Sequence, residues 1–270
     1  MKPEIGIHYG VPFADYLQWE AVNQSTLKHM LSSPQHYRYA VLESVEVTEA
    51  MLQGTAIHTA VLEPDMFSAC YERWEKVKGK GEAAFAKDQA ASTKTLYSSE
   101  WNVPEIASAI RSDPATAALI AEVGNKVSAE VCIVWDEPNG IRCKARLDGL
   151  SDKFVFDLKS IGKVATDHEC TSAAFKLGYH FQAAFGLRGL KALGHSAADW
   201  ALVFVEKSAP FAVNTFWIDG DTRDVGASQV GRCLNRLRQC LDSGQWPGPA
   251  AVGIKPMQCP KWALIEEGLA

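Results

Sequence analysis

Asp157 and Lys159 stand two apart in the run Phe154-Val-Phe-Asp-Leu-Lys-Ser160. Nine residues earlier a second carboxylate, Asp148, closes the stretch Ile141-Arg-Cys-Lys-Ala-Arg-Leu-Asp148. Two carboxylates and a lysine gathered on a sheet can hold a divalent cation, orient a water and offset the charge that builds when a phosphodiester is cut. Strand side chains alternate, so Asp157 and Lys159 share a face. With Asp152-Lys153 as a two-residue hairpin loop, Asp148 falls opposite Asp157, with β-carbons roughly 5 Å apart. Like charges so placed repel. Either a cation sits between them or one carboxylate is protonated, and neutralising Asp157 is expected to hold or raise the melting temperature.

The segment Val127 to Trp135 reads as a third strand, turned by Asp136-Glu-Pro-Asn-Gly140 into the Asp148 strand. Pairing Trp135 with Ile141 sets Glu130 opposite Arg146. The shared face then carries Glu130, Arg142, Lys144, Arg146, Asp148, Asp157 and Lys159. The other face is apolar, from Val131, Ile133, Trp135, Ile141, Cys143, Ala145 and Leu147 to Phe154, Phe156 and Leu158. One face is core and the other a charged working surface, with a merely solvated face as the alternative. Upstream, Glu49 to Glu63 has helical apolar spacing and ends at Pro64, placing Gly54 and His58 one turn apart. Gly54 is expected to admit a neighbouring backbone; His58 is either a packed core residue or a ligand.

In that order, Gly54-x-x-x-His58, Glu130, Asp148, Asp157-x-Lys159 and Gln182 in Tyr179-His-Phe-Gln182 resemble the motifs of the PD-(D/E)xK nuclease superfamily. The likeness is to the branch shared by the RecB nuclease domain, lambda exonuclease and exonuclease VIII (RecE), and within it to the RecE-type domain of phages and prophages. The run Asn23 to Tyr37, with Ser33-Pro-Gln-His-Tyr37, resembles the opening helices of that group, and the likeness reaches from about residue 20 to Ala263. It implies an α/β fold of the restriction-endonuclease-like class, a mixed central sheet flanked by helices. It implies Mg²⁺, with Mn²⁺ able to substitute, on His58, Asp148, Asp157 and the carbonyl of Leu158. Lys159, Glu130 and Gln182 would serve catalysis, and Tyr179, Arg142, Lys144, Arg146 and Arg38 would contact DNA. The implied reaction is 5′ to 3′ exonuclease digestion of linear double-stranded DNA. It leaves 3′ single strands for a single-strand annealing protein in recombination, and the enzyme is a homo-oligomeric ring, trimer or tetramer. Gly186 stands where the family has a tyrosine four residues after the glutamine, and Tyr179, one turn before Gln182, is placed to take over part of its role. Some relatives carry an iron-sulfur cluster. Cys233, Cys240 and Cys259 lack the close pair such a cluster uses and Cys70 is not near the N-terminus, so none is expected.

The 270 residues, 47% hydrophobic, suit one nuclease domain: a mainly helical part (1–123), a catalytic core (124–245) and a packed tail (246–270). With no signal peptide, no apolar run long enough to cross a bilayer and seven scattered cysteines, the expected setting is a bacterial cytoplasm and reduced thiols. A net charge of −5 excludes a nonspecific basic DNA coat. It directs attention to local cations: Arg142, Lys144 and Arg146, with Lys28, His36 and Arg38 near the entrance. Lys76-Val-Lys-Gly-Lys-Gly81 is either a solvated loop or one that closes over DNA. Rival readings are a structure- or sequence-directed endonuclease on the same core and a noncatalytic DNA-binding protein.

Around these motifs the pattern predicts helices over 23–43 and 48–63, a mixed region over 64–100, and two short helices over 103–123 broken at Asp113-Pro114. After the three strands come one long helix over 168–193 with Tyr179 and Gln182 toward the site, strands over 198–206 and 210–218, and a second long helix over 219–243 capped by Asp219 or Asp221. The tail after Trp246 is expected to be irregular and packed by Trp262.

Overall fold

The computed structural model describes residues 1–43, 48–75, 82–123, 129–249, 254 and 256–269. The chain opens with β1 (Gly6–His8), α1 (Phe13–Gln18) and α2 (Gln24–Leu27), then a 3₁₀ turn and α3 (Pro34–Leu42), α4 (Glu49–Leu62), α5 (Pro64–Cys70), β2 (Tyr71–Trp74), α6 (Glu82–Ala91) and β3 (Thr95–Ser98). Next come α7 (Val103–Ser112), α8 (Pro114–Val123), β4 (Ala129–Asp136), β5 (Arg142–Leu150) and β6 (Phe154–Ile161). The chain closes with α9 (Asp167–Leu177), α10 (Tyr179–Ala192), β7 (Asp199–Glu206), β8 (Val213–Trp217), α11 (Gly220–Ser243) and α12 (Lys261–Glu266). Val127 and the Lys76–Gly81 patch lie outside the described residues.

Local chemistry sets the helix starts. Asn23, Ser33, Thr48, Thr166 and Asp219 each accept a hydrogen bond from the backbone N–H three residues on, satisfying a donor the helix leaves unpaired. The expected long helix over 168–193 is two helices. Gly178 sits in the left-handed region at φ +81° and ends α9, so α10 restarts at Tyr179 in a new direction.

Six strands form one sheet in the order β1-β4-β5-β6-β7-β8. Within this sheet β6 and β7 are parallel, joined by the α9–α10 crossover, and its other pairs are antiparallel. The sheet is mixed and covered on both faces. Against one face lie Phe181 and Phe185 of α10 and Leu234 and Leu237 of α11; against the other lie Ile57 and Val61 of α4 with Ile106 and Ile110 of α7.

Three sequence expectations change here. Trp135 pairs with Cys143 rather than Ile141, a slip of two residues that keeps every side chain on its face. The turn closes one residue later because Glu137 N–H donates to the Ile141 carbonyl at 2.8 Å and Asp136 is forked to Arg142. Glu130 therefore falls between the pairs Ala129–Gly149 and Val131–Leu147, level with Asp148. The predicted apolar face is also split. Val131, Ile133, Trp135, Cys143 and Leu147 pack with α10 and α11, whereas Phe154, Phe156 and Leu158 pack on the opposite side with α4 and α7. Leu147 and Leu150 join the same core although three apart, so alternation breaks at Asp148-Gly149. Finally Trp262 is 64% exposed; in the tail it is Trp246 that packs, stacked on Tyr37 with ring centroids 5.9 Å apart.

Gly186 has a packing cause. A β-carbon there would lie 2.5 Å from Cζ3 of the buried Trp200, and one at Gly189 would lie 2.6 Å from the Trp135 ring. The two indoles fill the space that larger residues on α10 would need. Gly186→Tyr, which restores the family residue, is therefore expected to lower stability by at least about 3 kcal/mol, beyond the usual cost of overpacking by a methylene or two. Gly186→Tyr with Trp200→Ala should recover part of that loss in urea unfolding. A Gly186→Tyr protein as stable as the parent would show that the helix is free to move away.

Candidate active site

The hairpin places β5 against β6 in the expected register, with Gly149 opposite Phe156 and Leu150 opposite Val155. The ladder stops there. Where Asp148 and Asp157 would have met as neighbours the strands part, and the Asp148 carboxylate fills the gap by accepting the Leu158 N–H at 2.8 Å. A side chain thus satisfies a backbone donor that the sheet has released.

Two groups of residues meet at this gap. In the first, His58, Glu130 and Asp148 each offer one ligand atom, all within 4.8 Å of one another. His58 projects from α4, and its Nε2 lies 2.9 Å from the Leu158 carbonyl. A carbonyl only accepts, so Nε2 carries the proton and Nδ1 is turned to Asp148, 3.5 Å from Oδ2. A backbone carbonyl fixing the far ring nitrogen is how metal-ligating histidines are commonly oriented. Glu130 is held in the left-handed region at φ +52°, which is strained for a glutamate, and its carboxylate is tied to Arg146 Nε at 2.5 Å.

The second group is Asp157, Lys159, Gln182 and Tyr179. Lys159 Nζ donates to Asp157 Oδ1 at 2.9 Å and lies 2.8 Å from Oδ2, and Gln182 Nε2 donates to the same Oδ1 at 2.9 Å. Tyr179 lays its ring 4.7 Å from the Lys159 ammonium. Asp157 is 1% exposed. Burial, with Asp148 adding to it, pushes its carboxyl up to about 6 despite the lysine. For Lys159 burial works downward, but the carboxylates of Asp157 and Asp148 outweigh it and the ammonium is held above its ordinary range.

The structure thus brings His58, Glu130 and Asp148 together and sets Asp157 behind them against Lys159 and Gln182. The Leu158 carbonyl faces the His58 ring, and a second lone pair stays available on it. One imidazole nitrogen with carboxylate oxygens is a donor set suited to Mg²⁺ or Mn²⁺. Gly54 borders the cavity with nothing within 4 Å of where its β-carbon would be, so it keeps the wall open rather than admitting a backbone.

Of the other cations expected to meet DNA, the three on β5 are engaged inside the protein. Arg142 pairs with Asp136 and donates to the Pro3 carbonyl; Arg146 donates to the Val11 carbonyl. Lys144 is buried, its ammonium on the carbonyls of Tyr16 and Trp19 at 2.7 and 2.8 Å, and burial brings its pKa down to about 8. Arg38 lies over the Trp246 ring. Sequence reasoning overlooked the N-terminal segment that these residues hold. The available signal was three basic residues alternating on one strand, which need carbonyl or carboxylate partners once the strand is covered.

A family model described as a PDDEXK-like domain of unknown function (DUF3799) matches residues 23–252. The chain belongs to this PDDEXK-like family. The match takes in every residue of both groups, and the fold is the restriction-endonuclease-like one. No curated protein matches the sequence. Among solved structures, the "Putative exonuclease" of Eubacterium rectale has 14% sequence identity, with 92% of each chain covered and a TM-score of 0.59. The phage-related exonuclease of Haemophilus somnus 129PT (12% identity, 86% of this chain and 100% of that one, TM-score 0.35) and LHK-Exo in complex with dAMP (16%, 73% and 95%, TM-score 0.31) are more distant in shape. Among the described residues no helix is long and apolar enough to cross a membrane.

Proposed function

We propose that this PDDEXK-like protein is a metal-dependent deoxyribonuclease that digests linear double-stranded DNA from its ends. The observation that carries the reading is the meeting, at the parted β5–β6 strands, of a His58-Glu130-Asp148 ligand cluster with the Asp157-Lys159-Gln182 group. His58, Glu130 and Asp148 would hold the cation, with Asp157 and the Leu158 carbonyl in support; Mg²⁺ is the natural choice and Mn²⁺ the substitute. When bound, the ion polarises the scissile phosphate and lowers the pKa of water.

The chain's own residues do the rest. Asp157 and the Tyr179 ring fix the Lys159 ammonium in one place, and Gln182 fixes Asp157. Because Lys159 is held as an ammonium, it orients the attacking water and offsets phosphate charge in the transition state rather than taking up the proton. Burial keeps this pair dry, so its charge is felt strongly at the reacting phosphate.

The finer reading, 5′ to 3′ polarity leaving 3′ strands for an annealing protein in recombination, follows the RecE-type resemblance, as does a ring-shaped oligomer. The engaged state of Arg142, Lys144 and Arg146, added to a net charge of −5, supports the ring. A working strand whose cations are already engaged gives DNA few phosphate contacts there, and encirclement would hold the DNA without them.

Linear duplexes labelled at the 5′ or the 3′ end, run beside a covalently closed circle and with excess trap DNA, test these points together. Expected are early release of the 5′ label, an intact circle, and, on each duplex engaged before the trap, digestion of the attacked strand that runs on without release and leaves 3′ single strands. Nicking of the circle would favour the endonuclease. Release after a few nucleotides would remove the ring.

A further inference from the structure

We propose that Phe13 is a stacking platform for an unpaired nucleobase next to the scissile phosphate, supplied by the N-terminal segment that precedes the part matched by the family model. The inference rests on the nuclease reading for what occupies the cavity. Residues 1–22 precede the part that matches the family model, yet they are built firmly into the fold. β1 extends the sheet at β4, Val22 bridges to Cys143, and the cations of β5 each hold a carbonyl of the segment: Arg142 that of Pro3, Arg146 that of Val11, Lys144 those of Tyr16 and Trp19.

This anchoring places Val11, Pro12 and Phe13 on the wall of a cavity of about 720 Å³ that also contains His58, Glu130 and Asp148. Phe13 is 55% exposed although a large aromatic. Its ring stacks on Tyr16, with centroids 6.2 Å apart and planes 19° from parallel, and the Arg146 guanidinium lies 5.5 Å from its centre. The ring is thus fixed from behind while part of it stays open. Met51 and Met66, both half exposed, line the same cavity. An apolar slot opening onto a carboxylate-imidazole cluster fits a nucleotide, with the base between apolar walls and the phosphate at the charged end. Arg146 links the two ends, since the guanidinium that touches Phe13 also holds Glu130. The chemistry selected is a base free to leave its partner, so frayed or single-stranded ends should be taken ahead of stable G·C ends.

The test uses Phe13→Ala, Phe13→Leu and Phe13→Trp with two readouts. In the first, KM for a linear duplex should rise roughly 5- to 100-fold in the Ala and Leu variants, the range expected for one lost base stack, with kcat little changed and Trp close to the parent. In the second, an oligonucleotide with phosphorothioate ends and a terminal 2-aminopurine should lose fluorescence on the parent and on Phe13→Trp but not on Phe13→Ala or Phe13→Leu. Equal quenching by parent and Phe13→Ala overturns the platform, as does a Phe13→Leu enzyme with parental KM, and both leave the nuclease reading intact. If the parent digests no DNA the nuclease reading fails, and the fluorescence comparison still decides the role of Phe13.

Discussion

Lys159→Met and Asp148→Asn are each expected to slow DNA hydrolysis by about 10³-fold or more while leaving KM within a few-fold. The size follows from what each group does. Removing a single preorganised charge that acts only in the transition state costs about 10²–10³ in rate, and Asp148→Asn loses an anionic cation ligand while its amide oxygen can still accept the Leu158 N–H that shapes the gap. Lys159→Arg should not rescue, because a planar guanidinium fork does not reproduce the compact ammonium held between Asp157 and the Tyr179 ring. Single-turnover digestion at saturating Mg²⁺ checks this. A Lys159→Met enzyme within tenfold of the parent would remove Lys159 from the chemistry.

The second large effect is on stability, where the two halves of the buried pair should respond to pH in opposite directions. Without Lys159, Asp157 keeps its burial and its neighbour Asp148 but loses the cation opposing them, so its folded pKa rises beyond about 6. A folded pKa above the unfolded value means the native state binds the extra proton. The stability this gives is present below the unfolded value near 3.8 and is lost as pH rises through the folded pKa. Lys159→Met should therefore be nearly as stable as the parent at pH 5 and weaker by about 3–5 kcal/mol at pH 8, the cost typical of a buried charge left alone. Asp157→Asn leaves the burial of Lys159 opposed by Asp148 without Asp157, which brings the folded pKa of the ammonium down, so relative to the parent that variant should gain stability as pH rises. The double variant Asp157→Asn/Lys159→Met should match or exceed the parent. Urea unfolding of the four proteins at pH 5 and 8 without metal completes the cycle. Two single variants with the same pH slope would show that the pair is not coupled. The contacts of Asp157 change what two bare carboxylates suggest. Asp157 alone, opposite Asp148, looks like a group whose loss is harmless; Asp157 bound to Lys159 and Gln182 is not.

How much of this was legible depends on which physical signal each part leaves in the chain. The Asp152-Lys153 hairpin fixed the β5–β6 register because a two-residue loop permits only one pairing there. The five-residue turn at 137–141 left the β4–β5 register open, and the choice went to a turn closed by Glu137 and an Asp136–Arg142 fork that no spacing rule reveals. The split of the apolar face was hidden for a different reason. β6 lies at the centre of a sheet covered on both sides, so Phe154, Phe156 and Leu158 facing one core and Val155 facing the other read as one apolar run. Gly178 was readable as a helix stop, yet the apolar pattern continues through it and invited one long helix. Asp148, Asp157, Lys159, Gln182 and His58 were named by type and order. That Asp157 and Lys159 share a face followed from strand alternation, as the ion pair between them shows; that Glu130 turns toward His58 and Asp148 came from the parting of two strands and one left-handed glutamate, features of tertiary geometry with no local signature.

The central claim is that the parted β5–β6 strands form a metal-dependent phosphodiester-cleaving site. Release of acid-soluble nucleotides from a uniformly labelled linear duplex addresses it most directly, measured for the parent and for Lys159→Met in Mg²⁺ and again in EDTA. Expected are release by the parent in Mg²⁺, none in EDTA, and a rate about 10³-fold lower for the variant. Release that persists in EDTA, or that Lys159→Met sustains at the parental rate, would contradict the claim.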